Sequence, residues 1–132
     1  MAGSVRDLKV WQESVALAGD IIRVVRQGAR RETTAVGDQL MLTAIGVAEH
    51  IADGYSRYTT VEQREWYQAA KRDLLRVETQ LAIGRHAELI PAGVYSDLTA
   101  RIQIVHRLLG GYLVYLDRQL TQELTTPTIS AR

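Results

Sequence analysis

Residues 98–116 read Leu-Thr-Ala-Arg-Ile-Gln-Ile-Val-His-Arg-Leu-Leu-Gly-Gly-Tyr-Leu-Val-Tyr-Leu. Within them Leu98, Ile102, Val105, Leu109, Tyr112 and Leu116 recur at spacings of 4, 3, 4, 3 and 4. That rhythm places six apolar groups on one face of a helix and excludes the strict alternation of a strand. Ser96 or Asp97 is the expected cap. Gly110-Gly111 falls inside the pattern, where it is expected to let another helix approach closely.

Working outward, the same rhythm appears three more times. From about Val61 to Arg85 it comprises Trp66, Ala70, Leu74, Val77, Leu81 and Gly84. Thr60 and Gln63 have capping-box spacing at its start. Pro91 breaks the chain between the third and fourth helices. From about Thr34 to Asp53 the stripe is Leu40, Ala44, Val47 and Ile51, with Gly54 as the expected C-terminal stop. From about Asp7 to Gln27 it is Leu8, Trp11, Val15, Ala18, Ile22 and Val25. Asp7 suits the positive end of that helix, and Gly28 is the stop before a short polar connection through Glu32. No Asn-Gly or Asp-Gly hairpin turn joins two alternating runs. Four helices of about 20 residues with short joints predict an all-α protein, an antiparallel up-down-up-down four-helix bundle. One domain over residues 1–132 is expected, with a core from about 7 to 120 and a frayed tail from Thr121.

Composition bounds the function. Apolar residues make up 46% and charged residues 23%, an ordinary globular balance. Sixteen Lys and Arg face 15 Asp and Glu, so a net charge of +1 supplies no bulk field. There is no cysteine, which excludes disulfides, iron–sulfur clusters and thiolate chemistry. The opening residues Met1 to Asp7 lack the apolar core of a secretion signal. The longest apolar run near the end, Leu108 to Leu116, falls short of the roughly 20 residues a membrane helix needs. A cytoplasmic protein without membrane contact is expected.

Chemistry has few footholds. Glu49, His50 and Asp53 could meet one metal ion or water. A di-metal bundle wants Glu-x-x-His from two helices, and none occurs. We read the cluster as a polar helix end, with Arg57 offsetting Asp53 across the Gly54 turn. No serine lies in a Gly-x-Ser-x-Gly turn and no glycine-rich phosphate loop is present. No enzyme activity, cofactor, metal or small-molecule substrate is expected.

Two surface features remain. Arg57, Arg64 and Lys71 recur at seven, and Arg72 and Arg76 at four, so the third helix can present a basic band to phosphates. The alternative is a solvated face with local pairs such as Arg72 with Glu65 or Arg76 with Asp73. The second helix carries Met41, Leu42 and Ile45 beyond its core stripe, and the first carries Val10, Leu17, Ile21 and Val24. Either the core face is broad or these residues form a subunit interface, the reading favoured for Met41, Leu42 and Ile45.

These residues resemble a known family, the bacterial four-helix bundle proteins related to those encoded within intervening sequences of large-subunit ribosomal RNA genes. The opening Leu8-Lys9-Val10-Trp11-Gln12 is similar to its Leu-x-Val-Trp-Gln. Gln39-Leu40, Ala44 and Ile51-Ala52-Asp53-Gly54 resemble its Gln-Leu … Asn-Ile-Ala-Glu-Gly, with His50 and Asp53 at the asparagine and glutamate. Arg57 matches an arginine after that glycine. Ala70-Lys71 and Val77-Glu78-Thr79-Gln80-Leu81 resemble Ala-Lys … Leu-Glu-Thr-Gln-Leu, and Arg107-Leu108-Leu109 resembles its ending. Met41 and Leu42 replace a family arginine pair, and Ala48 replaces a proline. The resemblance implies a homo-oligomer, a pentamer, and structural roles for His50, Asp53, Gly54 and Glu78. Relatives that accompany diversity-generating retroelements imply an accessory role in binding RNA or DNA, here through Arg57, Arg64, Lys71, Arg72 and Arg76. A protein-interaction scaffold without nucleic-acid affinity is the alternative.

Overall fold

The computed structural model describes residues 3–28 and 34–125. Residues 29–33 of the first connection and 126–132 of the tail lie outside them. Four α-helices follow a single 3-10 turn: α1 (Lys9–Gln27), α2 (Thr34–Tyr55), α3 (Thr60–His86) and α4 (Ala92–Thr125). There is no strand among the described residues. None of the helices there is long and apolar enough to cross a membrane.

Asp7 does not open the first helix. It closes the 3-10 turn Val5–Asp7, accepting from the Ser4 N–H at 3.1 Å while the Ser4 hydroxyl accepts from Arg6 N–H at 3.1 Å. The face of α1 also differs from expectation. Val10, Ser14, Leu17, Ala18 and Ile21 are buried, whereas Val15 is exposed and Leu8, Trp11, Ile22 and Val25 are only partly covered. Ser14 occupies a core position because its hydroxyl donates to the Val10 carbonyl at 2.7 Å, leaving no unmet polar group. Gly28 caps α1 as expected, its N–H bonded to the Val24 carbonyl.

In α2 the expected stripe is the core: Leu40, Ala44, Val47 and Ile51 are all buried. Gly54 is not its stop. The helix continues to Tyr55, and no glycine among the described residues has a positive φ. What Gly54 supplies is room. A Cβ there would stand 3.0 Å from the Trp66 Cβ and 3.4 Å from the Gln63 carbonyl oxygen, so α3 packs directly on α2.

The cap of α3 lies one residue earlier than expected. The Thr59 hydroxyl, not Thr60, accepts from Glu62 N–H at 3.1 Å. Tyr67, Ala70, Leu74, Val77, Leu81 and Gly84 face the core, and Trp66 is half-buried. The helix ends in a Schellman turn: Leu89 N–H donates to the Gly84 carbonyl at 2.8 Å and Glu88 N–H to Arg85 at 3.0 Å. Glu88 takes the left-handed position, at φ 61°, which glycine usually fills. The α4 helix then starts at Ala92, before Ser96 and Asp97. The ring of Pro91 is compatible with a helix start, and its carbonyl accepts from Tyr95 at 2.9 Å. The helix persists through Thr125, past the expected fraying point at Thr121.

Each helix packs on its chain neighbours, and α1 closes the ring against α4. Cross-helix pairs fix the directions. Thr43 meets Gln80 and His50 meets Asp73, so α2 and α3 run antiparallel. Thr60 meets Glu123, Arg64 meets Asp117 and Glu78 meets His106, so α3 and α4 do too. The core holds Leu17, Ile21, Ile51, Tyr67, Leu74, Leu81, Ile102, Leu109 and Leu116. Burial of each such side chain stabilises the fold by about 1.5–3 kcal/mol. Gly110 and Gly111 do not admit a neighbouring helix of this chain among the described residues: a Cβ at either would meet nothing within 4 Å.

Candidate nucleic-acid interface

The basic residues of α3 lie on different edges of the helix. At about 100° per residue, Arg64 and Lys71 share the edge beside α4. Arg64 Nε there donates to the Asp117 carboxylate at 2.5 Å. Arg76 lies towards α2, where its Nη1 is 3.3 Å from Asp73 Oδ1. Arg72 falls between these edges. Arg72 and Lys71 are exposed, and neither has a carboxylate partner among the described residues. The expected pair of Arg76 with Asp73 forms, and that of Arg72 with Glu65 does not. Arg72, Leu75, Arg76, Thr79 and Gln80 line a shallow open depression on the outer surface of α3. The band expected from the sequence is therefore a short central stretch with partnered arginines on either side.

Arg57 stands apart, in the connection between α2 and α3. It does not pair with Asp53, which is exposed and has no ion pair among the described residues. Its guanidinium lies over Trp66, 4.7 Å from the ring centroid. Residue spacing gives no hint of this partner, because the two positions are on opposite sides of a turn.

His50 also has a different role from the one expected. Its Nδ1 lies 2.5 Å from Oδ2 of Asp73, a nearly buried carboxylate of α3. Asp73 therefore spans His50 and Arg76, which meet its charge where water cannot. Gly46 makes room for it, since a Cβ there would come within 3.0 Å of Asp73 Oδ2. On the opposite edge of α3, Glu78 pairs with His106 Nε2 of α4 at 2.5 Å. Two carboxylates of α3 thus tie it to both neighbours. The sequence reading did not assign Asp73 this role. Among the described residues no three His, Asp or Glu side chains converge as a metal site.

Of the expected interface residues, Met41 and Ile45 pack partly against the core of the bundle itself. Leu42 is 68% exposed.

Residues 6–111 match the family described as 23S rRNA-intervening sequence protein. The chain belongs to that family. No curated protein matches the sequence. The family match takes in α1, α2, α3 and the first part of α4. Several residues behind the resemblance are packing residues: Leu40, Ile51, Val77, Leu81 and Leu109 are buried in the core. Glu78 and Gly54 serve helix–helix contacts, one by its contact with His106 and one by its missing side chain.

Proposed function

We propose that this member of the family is a non-enzymatic, homo-oligomeric accessory protein that binds RNA or DNA through basic side chains on and beside α3. The observation that carries the reading is the pair Lys71 and Arg72, exposed and without carboxylate partners among the described residues. A phosphate can take either one without breaking an ion pair. Arg64 and Arg76 contribute less, because Asp117 and Asp73 already offset them. With a net charge of +1, one subunit binds weakly. A pentamer, which the family resemblance implies, repeats the patch and raises affinity through effective concentration. Leu42 is the exposed apolar residue of α2 that a second copy would cover.

The test is Lys71→Glu with Arg72→Glu, in protein of unchanged mass and helicity, against mixed RNA and DNA at low salt. Wild type should bind, and the variant should lose affinity and salt dependence. The log–log salt slope flattens by about 0.7–0.9 for each phosphate contact removed. Equal binding by both proteins removes this patch from the function, and absence of binding by either removes nucleic acid. A scaffold reading then takes over. It is favoured by Leu75 and Ile83 on α3, 60% and 58% exposed, apolar groups that a protein partner would shield.

A further inference from the structure

The corner between α2 and α3 carries Arg57 and Tyr58 side by side. Tyr58 is 99% exposed, so its ring gains nothing from burial. The side chain of Arg57, the residue before it, makes no hydrogen bond or ion pair among the described residues. Its Nε is shut off from water with no acceptor. Yet the side chain is positioned. Trp66 lies beneath its guanidinium, and the Gln63 amide donates to the Arg57 carbonyl at 2.9 Å. Gly54 lets Trp66 sit close against α2, and the His50 ring stands 5.6 Å from the indole.

Charge does not account for this corner. Glu62 occupies the first turn of α3, where its carboxylate accepts from the Thr59 hydroxyl at 3.0 Å. That negative group opposes a phosphate at the helix start. What the corner offers is a free phenol ring beside a half-buried guanidinium that is already laid on Trp66. Unpaired bases stack on such surfaces, whereas the base faces of a duplex are already stacked on one another.

We propose that Arg57 and Tyr58 form a stacking platform for unpaired bases, so that the protein prefers single strands to duplex. The proposal rests on the nucleic-acid reading above and specifies which form is bound. The test uses the full chain and three labelled ligands of one length: a thymidine single strand, the same backbone without bases, and a duplex. Binding is followed by fluorescence anisotropy at two salt concentrations. The thymidine strand should bind roughly tenfold more tightly than the abasic strand, and more tightly than the duplex. Tyr58→Ala, at a fully exposed position, and Arg57→Lys, which keeps the charge, should each reduce that advantage to about twofold or less. Neither should alter the salt slope, because the phosphate contacts remain. Equal binding of thymidine and abasic strands overturns the platform and leaves the phosphate reading standing. An advantage that survives both substitutions overturns it as well, as does duplex binding equal to single-strand binding. If no ligand binds, both readings fall.

Discussion

Gly54 and Gly111 both lie inside helices, and the same substitution should act on them with opposite sign. Replacing a helix-interior glycine by alanine stabilises a helix by about 0.8–1.0 kcal/mol where nothing obstructs the new methyl group. At Gly111 no atom lies within 4 Å of an added Cβ, so Gly111→Ala should gain about 1 kcal/mol. At Gly54 the Cβ meets the Trp66 Cβ at 3.0 Å, the Gln63 carbonyl oxygen at 3.4 Å and Tyr67 Cε2 at 3.4 Å. A Cβ is one bond from the backbone and cannot rotate away, so α3 must shift. Overpacking of this kind costs about 1–3 kcal/mol. Gly54 is the next-to-last residue of α2, where the helix gain is smaller than in an interior, so Gly54→Ala should lose about 1–2 kcal/mol net. Urea unfolding followed by circular dichroism, at one protein concentration and with unchanged m-values, measures both. A stabilising Gly54→Ala would refute the close approach of α3. A destabilising Gly111→Ala would show that another copy closes over that face of α4.

Glu88→Gly should raise stability by about 1 kcal/mol, because the left-handed conformation at φ 61° costs a side-chain-bearing residue about that much. An unchanged denaturation midpoint would contradict it. Tyr67→Phe should stabilise by about 1 kcal/mol, since it removes a buried hydroxyl that meets no acceptor in hydrogen-bonding geometry among the described residues. Burial pushes the Tyr67 and Tyr112 hydroxyls above the ordinary tyrosine value, so below about pH 10 both states are neutral and stability is kept. Above that the unfolded chain ionises first and stability falls. Tyrosinate absorbance from these two residues should therefore appear together with loss of helicity; all six tyrosines titrating near pH 10 in an intact helical protein would contradict this. Leu42→Glu should lower the mass found by light scattering and leave the helical spectrum unchanged. An unchanged oligomer mass would place Leu42 outside the interface.

The sequence by itself determined the four helices, their approximate limits, the core face of α2 and most of that of α4, where Leu113 and not the expected Tyr112 is buried, because an apolar rhythm of 3 and 4 has one helical solution. It also determined the family, since the order of Trp11, Gln39-Leu40, Gly54 and Val77 to Leu81 survives changes at single positions. It could not choose the face of α1, where two apolar stripes lie about one residue apart in rotation. Ser14 interrupts the stripe that is buried, and only the Val10 carbonyl makes a hydroxyl acceptable there. Nor could it distinguish a glycine that ends a helix from one that admits another, because the difference at Gly54 lies in where Trp66 stands. The candidate site divides in the same way. Spacing along α3 marked Lys71 and Arg72, but charge pairing depends on what the neighbouring helices bring. Asp117 takes Arg64, Asp73 joins Arg76 to His50, and Trp66 holds Arg57. The pair of Arg76 with Asp73 is local to α3 and legible in the spacing, but the contacts of Asp117, His50 and Trp66 join residues through the packing or turning of helices, which local periodicity does not encode, so tertiary structure completed the choice of which cations of the band are left without a carboxylate among the described residues.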